Sequence, residues 1–165
     1  MMQRASTMTT RSNFLVLISA FLLSACGGPG ENAEIPQAEP AGETSKDIGD
    51  FVVHFSAQST DQLSTDIAKA YNIVRSKDRA MLIVSVVRKD DDQPVPATVS
   101  VKTVNLTGQL KNVTMRRIDE QDAVYYVGET PVANRETLIF DISVTPEGSS
   151  TASEMRFKRE FYTDA

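Results

Sequence analysis

Few side chains in this sequence are of types that do chemistry, and their spacing tests each one. His54 is the only histidine, and histidine is the side chain that gains and loses a proton near neutral pH. No second histidine and no H-x-x-E-H pattern accompanies it, so His54 cannot build a zinc site by itself. The plainer expectation is a structural histidine on a strand, with acid–base chemistry beside a distant Asp or Ser as the alternative. Ser76 and Lys77 are the types of a hydrolase nucleophile and its base. As neighbours on an extended chain they point to opposite faces, so the amine cannot readily reach the hydroxyl. No G-x-S-x-G motif supplies another nucleophile.

Arg75, Lys77 and Arg79 are the candidate binding residues. On an extended segment the three cations share one face, about 7 Å apart. Held that way they repel one another unless anions answer them. Internal carboxylates such as Asp50, Asp61 or Asp141 are one answer, and an anionic ligand or an acidic partner segment is the other. Asp90, Asp91 and Asp92 lack the alternating ligands and glycine of a calcium loop and read as a solvated hairpin turn. No metal and no cofactor is expected.

The remaining reactive residue is Cys26, the only cysteine. It follows a start that carries Arg4 and Arg11 with no acid, and then the apolar run Phe14 to Leu23. That order is an export signal. At ten residues the run is too short for a mature membrane-crossing helix, which needs about 20. Leu23-Ser24-Ala25-Cys26 resembles the bacterial lipobox, in which the thiol is acylated and the chain is cut just before the cysteine. A signal cut elsewhere, an uncleaved anchor and a chance cysteine are the alternatives. Residues 1–25 are therefore expected to be a lipoprotein signal peptide and Cys26 the lipidation site, with the mature protein facing the periplasm. Gly27 stands where inner-membrane retention commonly uses aspartate, so the resemblance favours the outer membrane.

From Gly27 to Asp47 the only large apolar residue is Ile35, too little to bury a core. Residues 26–47 are expected to be an acylated cysteine and a disordered linker, with a root-mean-square span of roughly 25 Å. Residues 1–25 hold two arginines and no acid, so without them 15 basic residues face 22 acidic ones. Such a chain is not a nucleic-acid binder. Residues 48–165 suit one domain with one core.

Those residues must be positioned by short elements. Phe51, Val53 and Phe55 alternate with Val52, His54 and Ser56 as in a half-buried strand. "STDQLSTDIAKAYN" offers Ser and Thr caps and then Leu63, Ile67 and Tyr71 at spacings of four, which predicts one short helix. Asn72 can end it in a left-handed conformation. "RAMLIVSVVRK" is nearly continuous and β-branched, as in a central strand buried on both faces. "ATVSVKTVNL", "QLKNVTMRRI", "AVYYVGE", "TLIFDISVT" and "EMRFKREFY" follow between polar turns. The prediction is an all-β antiparallel β-sandwich of about seven strands with one short helix after the first strand. A small barrel is the second choice.

"GDFVVHFSAQST", "AKAYNIVRSKDRAMLIVSV" and "MRFKREFY" resemble a family of small uncharacterised envelope proteins of proteobacteria, over about Ile48 to Tyr162. The resemblance implies an exported immunoglobulin-like β-sandwich with no established activity. Members often have glycine where this chain has Asn72, and they commonly carry a plain cleavable signal rather than a lipobox. The expected function is a lipid-anchored, non-enzymatic module that binds an envelope protein or an anionic ligand. A small-ligand or hydrolytic site around His54 and a structural or chaperone-like role in envelope assembly are the alternatives.

Overall fold

The computed structural model describes residues 42–164. Cys26, the lipobox and most of the expected linker lie outside them. Among the described residues nine strands and one α-helix follow in order: β1 (Ser45–Ile48), β2 (Phe51–Ser59), α1 (Thr65–Ala70), β3 (Arg79–Arg88), β4 (Ala97–Asn105), β5 (Leu110–Lys111), β6 (Arg116–Asp119), β7 (Val124–Pro131), β8 (Glu136–Pro146) and β9 (Ser153–Phe161). All pairings are antiparallel, in sheets of order β1-β2-β3-β7-β6 and β5-β4-β8-β9. The two sheets face each other as an all-β sandwich, as the period-two pattern predicts.

The core lies between the sheets and obeys the period-two pattern. Val53 and Phe55 of β2, Val84 and Val86 of β3, and Tyr126 of β7 face Phe140 and Ile142 of β8 and Met155 and Phe157 of β9. Phe157 stands edge-on to Phe55, with ring centroids 5.5 Å apart, and lies near-parallel to Phe140 at 6.0 Å. Burying each such side chain stabilises the fold by at most about 1.5–3 kcal/mol. Tyr126 also satisfies a partly buried donor, since the Ala97 N–H donates to its Oη at 2.7 Å. β3 is the middle strand of its sheet, as its continuous apolar run predicts.

Two features depart from the expected layout. β1 takes in Ser45, Lys46 and Asp47, which were expected to end the linker. Backbone pairing with β2, from Ser45↔His54 to Ile48↔Phe51, holds this polar stretch without any apolar face of its own. The run "QLKNVTMRRI" is two strands rather than one. β5 belongs to one sheet and β6 to the other, with residues 112–115 crossing between them. The crossing passes over Gly128, where an added Cβ would lie 2.4 Å from Val113 Cγ1 and 2.6 Å from Met115 Sδ.

The expected helix resolves into a 3₁₀ turn at Thr60–Gln62 and then α1. Ser64 caps α1, its Oγ accepting the Ile67 N–H at 3.2 Å. At the other end Asn72 has φ 52°. Its N–H donates to Lys69 O at 3.2 Å and that of Ile73 donates to Ala68 O at 2.8 Å, the paired bonds of a left-handed helix stop.

Candidate functional site

α1 lies over the outer face of the sheet that contains β3, and this placement makes the site. In register across that face, Ser56, Ile83, Val127 and Arg116 form one row and His54, Ser85, Tyr125 and Ile118 the next. A sheet face turned to water normally carries polar residues. Here Met81, Ile83, Val127, Ile118 and Tyr125 form a second apolar cluster with Ile73, Leu63 and Tyr71. Between α1 and the strands a groove of about 520 Å³ remains open, lined by these residues together with Ile67 and Glu120. Ile67 is 46% exposed at its rim. The three residues at spacings of four, Leu63, Ile67 and Tyr71, thus turn toward the groove.

Polar contacts fix the roof. Thr60 is fully buried, and its Oγ1 accepts the Ser76 N–H at 2.9 Å while donating to Val74 O at 2.8 Å. Arg116 Nη2 donates to Tyr71 O at 2.7 Å, joining β6 to the end of α1. Its guanidinium also lies 4.0 Å from Glu129. The groove can hold an apolar side chain or a short apolar segment. It presents no nucleophile with an adjacent base.

The basic residues do not form the expected row. A turn at Lys77 and Asp78 interrupts the extended segment. Arg75 reaches back over the helix start, donating to Asp61 O at 2.7 Å and to Thr65 Oγ1 at 3.2 Å. Arg79 opens β3 and lies 3.9 Å from Glu129. Lys77 has a partner of its own. Of the carboxylates considered for pairing, Asp61 supplies its backbone carbonyl, while Asp141 pairs with Arg156 at 2.6 Å. Ser76 is likewise engaged, its Oγ accepting the Asp78 N–H at 3.1 Å.

His54 is exposed on β2, opposite Ser85. It borders a shallow hollow of about 390 Å³ with Thr44, Ser56, Ser85 and Tyr125, and this hollow shares Ile83 and Tyr125 with the apolar groove. Among the described residues no hydrogen bond joins His54 to a carboxylate or hydroxyl, and no group of three His, Cys, Asp or Glu side chains could hold a metal ion. The aspartates at 90–92 sit in the expected hairpin turn, with Asp90 and Asp91 4.0 and 3.9 Å from Arg88.

Residues 45–164 match a family described as a domain of unknown function, DUF4426. The chain belongs to this family. A crystal structure of a DUF4426 protein from Pseudomonas aeruginosa PAO1 is 32% identical to it, with a TM-score of 0.65 over 75% of this chain and 98% of that one. A family 123 glycoside hydrolase from Clostridium perfringens overlaps at 13% identity and a TM-score of 0.35, covering 66% of this chain and 27% of that one. No curated protein matches the chain. The matched DUF4426 region begins at Ser45, the first residue of β1, so the strand absent from the expected layout falls inside the family's domain.

The other outer face of this DUF4426 domain is polar. Lys102, Asp141 and Arg156 lie side by side on β4, β8 and β9, next to a row of Ser100, Ser143 and Glu154. Two hydrogen bonds from Arg156, at 2.6 and 3.1 Å, hold the Asp141 carboxyl below its ordinary range, and Lys102 adds to the effect. The groove itself was missed from the sequence. Its signals were present in two places, the β3 run that is apolar on both faces and the helical stripe of Leu63, Ile67 and Tyr71. A strand buried on both sides needs a cover, and the helix supplies one here.

Proposed function

We propose that this DUF4426 chain is a non-enzymatic binding module, tethered to the periplasmic side of the outer membrane through an acylated Cys26. Its groove would take an apolar side chain or short apolar segment of another envelope component. One observation carries the binding reading: a groove of about 520 Å³ lined by apolar and aromatic residues, with Glu120 the single charge. Binding sites are concave and mainly apolar, with few polar groups. The absence of any transmembrane-length helix among the described residues is compatible with attachment by lipid. Arg75 and Arg79 are occupied within the domain, which favours internal pairing over the anion-binding alternative.

The test is crosslinking capture in cells. Ile67→Asp puts a charge at the groove rim on a half-exposed residue, and its melting transition reports whether the fold survives. Loss of a defined envelope partner in the folded Ile67→Asp variant, with capture retained when Arg75, Lys77 and Arg79 are all changed to Ala, is the expected result. Equal capture by both variants overturns the groove as the site, and loss only in the triple variant restores the basic residues. Labelling with an alkyne fatty acid tests the tether, and the signal should vanish in Cys26→Ser.

A further inference from the structure

β9 is the longest open sheet edge: among the described residues its nine residues pair only with β8, whereas on the far side of that sheet the two-residue β5 leaves residues 97–102 of β4 uncovered, and the outer strands of the other sheet, β1 and β6, are four residues each. An unpaired edge offers N–H and C=O groups to any strand that fits. The register says which residues offer them. The Glu147 N–H donates to Pro96 O at 2.7 Å, so odd-numbered residues of β8 turn their backbone groups toward β4 and even-numbered ones toward β9. Across that ladder Phe140 meets Phe157 and Ile142 meets Met155. Glu154, Arg156, Lys158 and Glu160 therefore turn their backbone groups to the open side, and Lys46 Nζ already takes the Glu154 carbonyl at 2.7 Å. All four side chains are exposed.

This open row reads acidic, basic, basic, acidic. Laid antiparallel against a second copy over the length Ser153–Phe161, it sets Glu154 against Glu160 and Arg156 against Lys158. Every opposed pair is then of like charge, and each such pair is destabilising. Arg159 adds to this as an exposed charge in the core-facing row between Phe157 and Phe161, a device that protects sheet edges. A strand whose outward residues read basic, acidic, acidic, basic meets the row with opposite signs throughout.

We infer that β9 accepts an extended segment of a different protein, one carrying basic, acidic, acidic and basic residues at alternate positions, and that it refuses a second copy of itself. The surface is separate from the apolar groove, so the two readings stand or fall independently.

The test uses the full chain in detergent. Two labelled nine-residue peptides with blocked ends carry Lys, Glu, Glu, Lys or the reversed Glu, Lys, Lys, Glu at alternate positions, with Thr and Val between. Fluorescence anisotropy should show the first binding at least about tenfold more tightly than the second. Lys158→Pro should abolish that binding with little change in melting temperature, because the N–H it removes faces the open side rather than β8. The double variant Glu154→Lys with Lys158→Glu makes all opposed pairs opposite in sign. It should sediment as a dimer at concentrations where the natural chain shows no association sensitive to Lys158→Pro. Equal affinity for the two peptides, binding of neither, or a dimer of the natural chain lost in Lys158→Pro would overturn the inference.

Discussion

Lys111 Nζ lies 2.8 Å from Glu136 Oε1, with the two side chains only 15% and 11% exposed. Glu136 also accepts from Asn105 Nδ2 at 3.0 Å and from the Ala133 N–H at 2.9 Å. One carboxylate thus ties the two-residue β5 to the end of β4 and to the turn before β8. Burial pushes its pKa up, but the hydrogen bonds from Lys111, Asn105 and Ala133 outweigh burial and leave it below the ordinary glutamate value.

The pH dependence follows from that direction. A carboxyl with a lowered folded pKa is held charged in the native state, so its contribution is present above the unfolded value of about 4.3. It is lost as pH falls through the folded pKa, where protonation no longer favours the unfolded chain further. Glu136→Gln should lower stability at pH 7 by about 1–3 kcal/mol, since it weakens charge-assisted bonds at a largely buried site. Denaturant melts at pH 7 and at pH 3 provide the measurement. The gap between variant and natural protein should shrink at the lower pH.

Asn72 holds a positive φ at the end of α1. Asn72→Ala should destabilise by about 1 kcal/mol, because a Cβ without a compensating polar group disfavours the left-handed region. Asn72→Gly should match or exceed the natural stability. Thermal melts of the pair separate this backbone effect from any loss of side-chain contact, which both variants share.

Gly128 has no room for a side chain. Gly128→Ala should cost about 1–3 kcal/mol by forcing Val113 and Met115 aside. A companion Val113→Ala, which removes the nearer obstruction, should recover part of the loss in a double-mutant cycle. Full additivity in that cycle would show that the crossing over residues 112–115 does not rest on Gly128.

Thr103 Oγ1 is buried without a hydrogen-bond partner among the described residues, on a residue 1% exposed. Thr103→Val keeps the β-branched shape and removes a desolvated hydroxyl. It should stabilise the protein by about 1 kcal/mol, read as a higher denaturant midpoint at unchanged slope.

The elements most legible in the sequence are those whose side chains report their own burial. Val53 and Phe55 alternate with polar residues, and Met155, Phe157 and Phe161 do the same on β9, so their strands and inward faces could be read directly. Asn72 was legible because few residue types accept a left-handed stop. β1 was not legible, since Ser45, Lys46 and Asp47 are exposed and held by backbone pairing, which leaves no mark on side-chain pattern. The split of "QLKNVTMRRI" was hidden for a related reason: a chain that changes sheets keeps alternating residues on both sides of the crossing.

Composition and order alone led to the expectation of an antiparallel sandwich with a short helix, because period-two alternation and polar turns favour that class over a small barrel or a helical fold. The tertiary structure decided where that helix rests. A stripe of Leu63, Ile67 and Tyr71 demands burial but names no partner, and an apolar β3 demands a cover but does not say which segment provides it. The closing of Thr60 onto Ser76 and of Arg116 onto Tyr71, with the apolar packing between them, joins the two, and that junction makes the groove. It also broke up the row of Arg75, Lys77 and Arg79. Equal spacing along a chain aligns side chains only while the backbone stays extended, and a turn at Lys77 and Asp78 ends that condition.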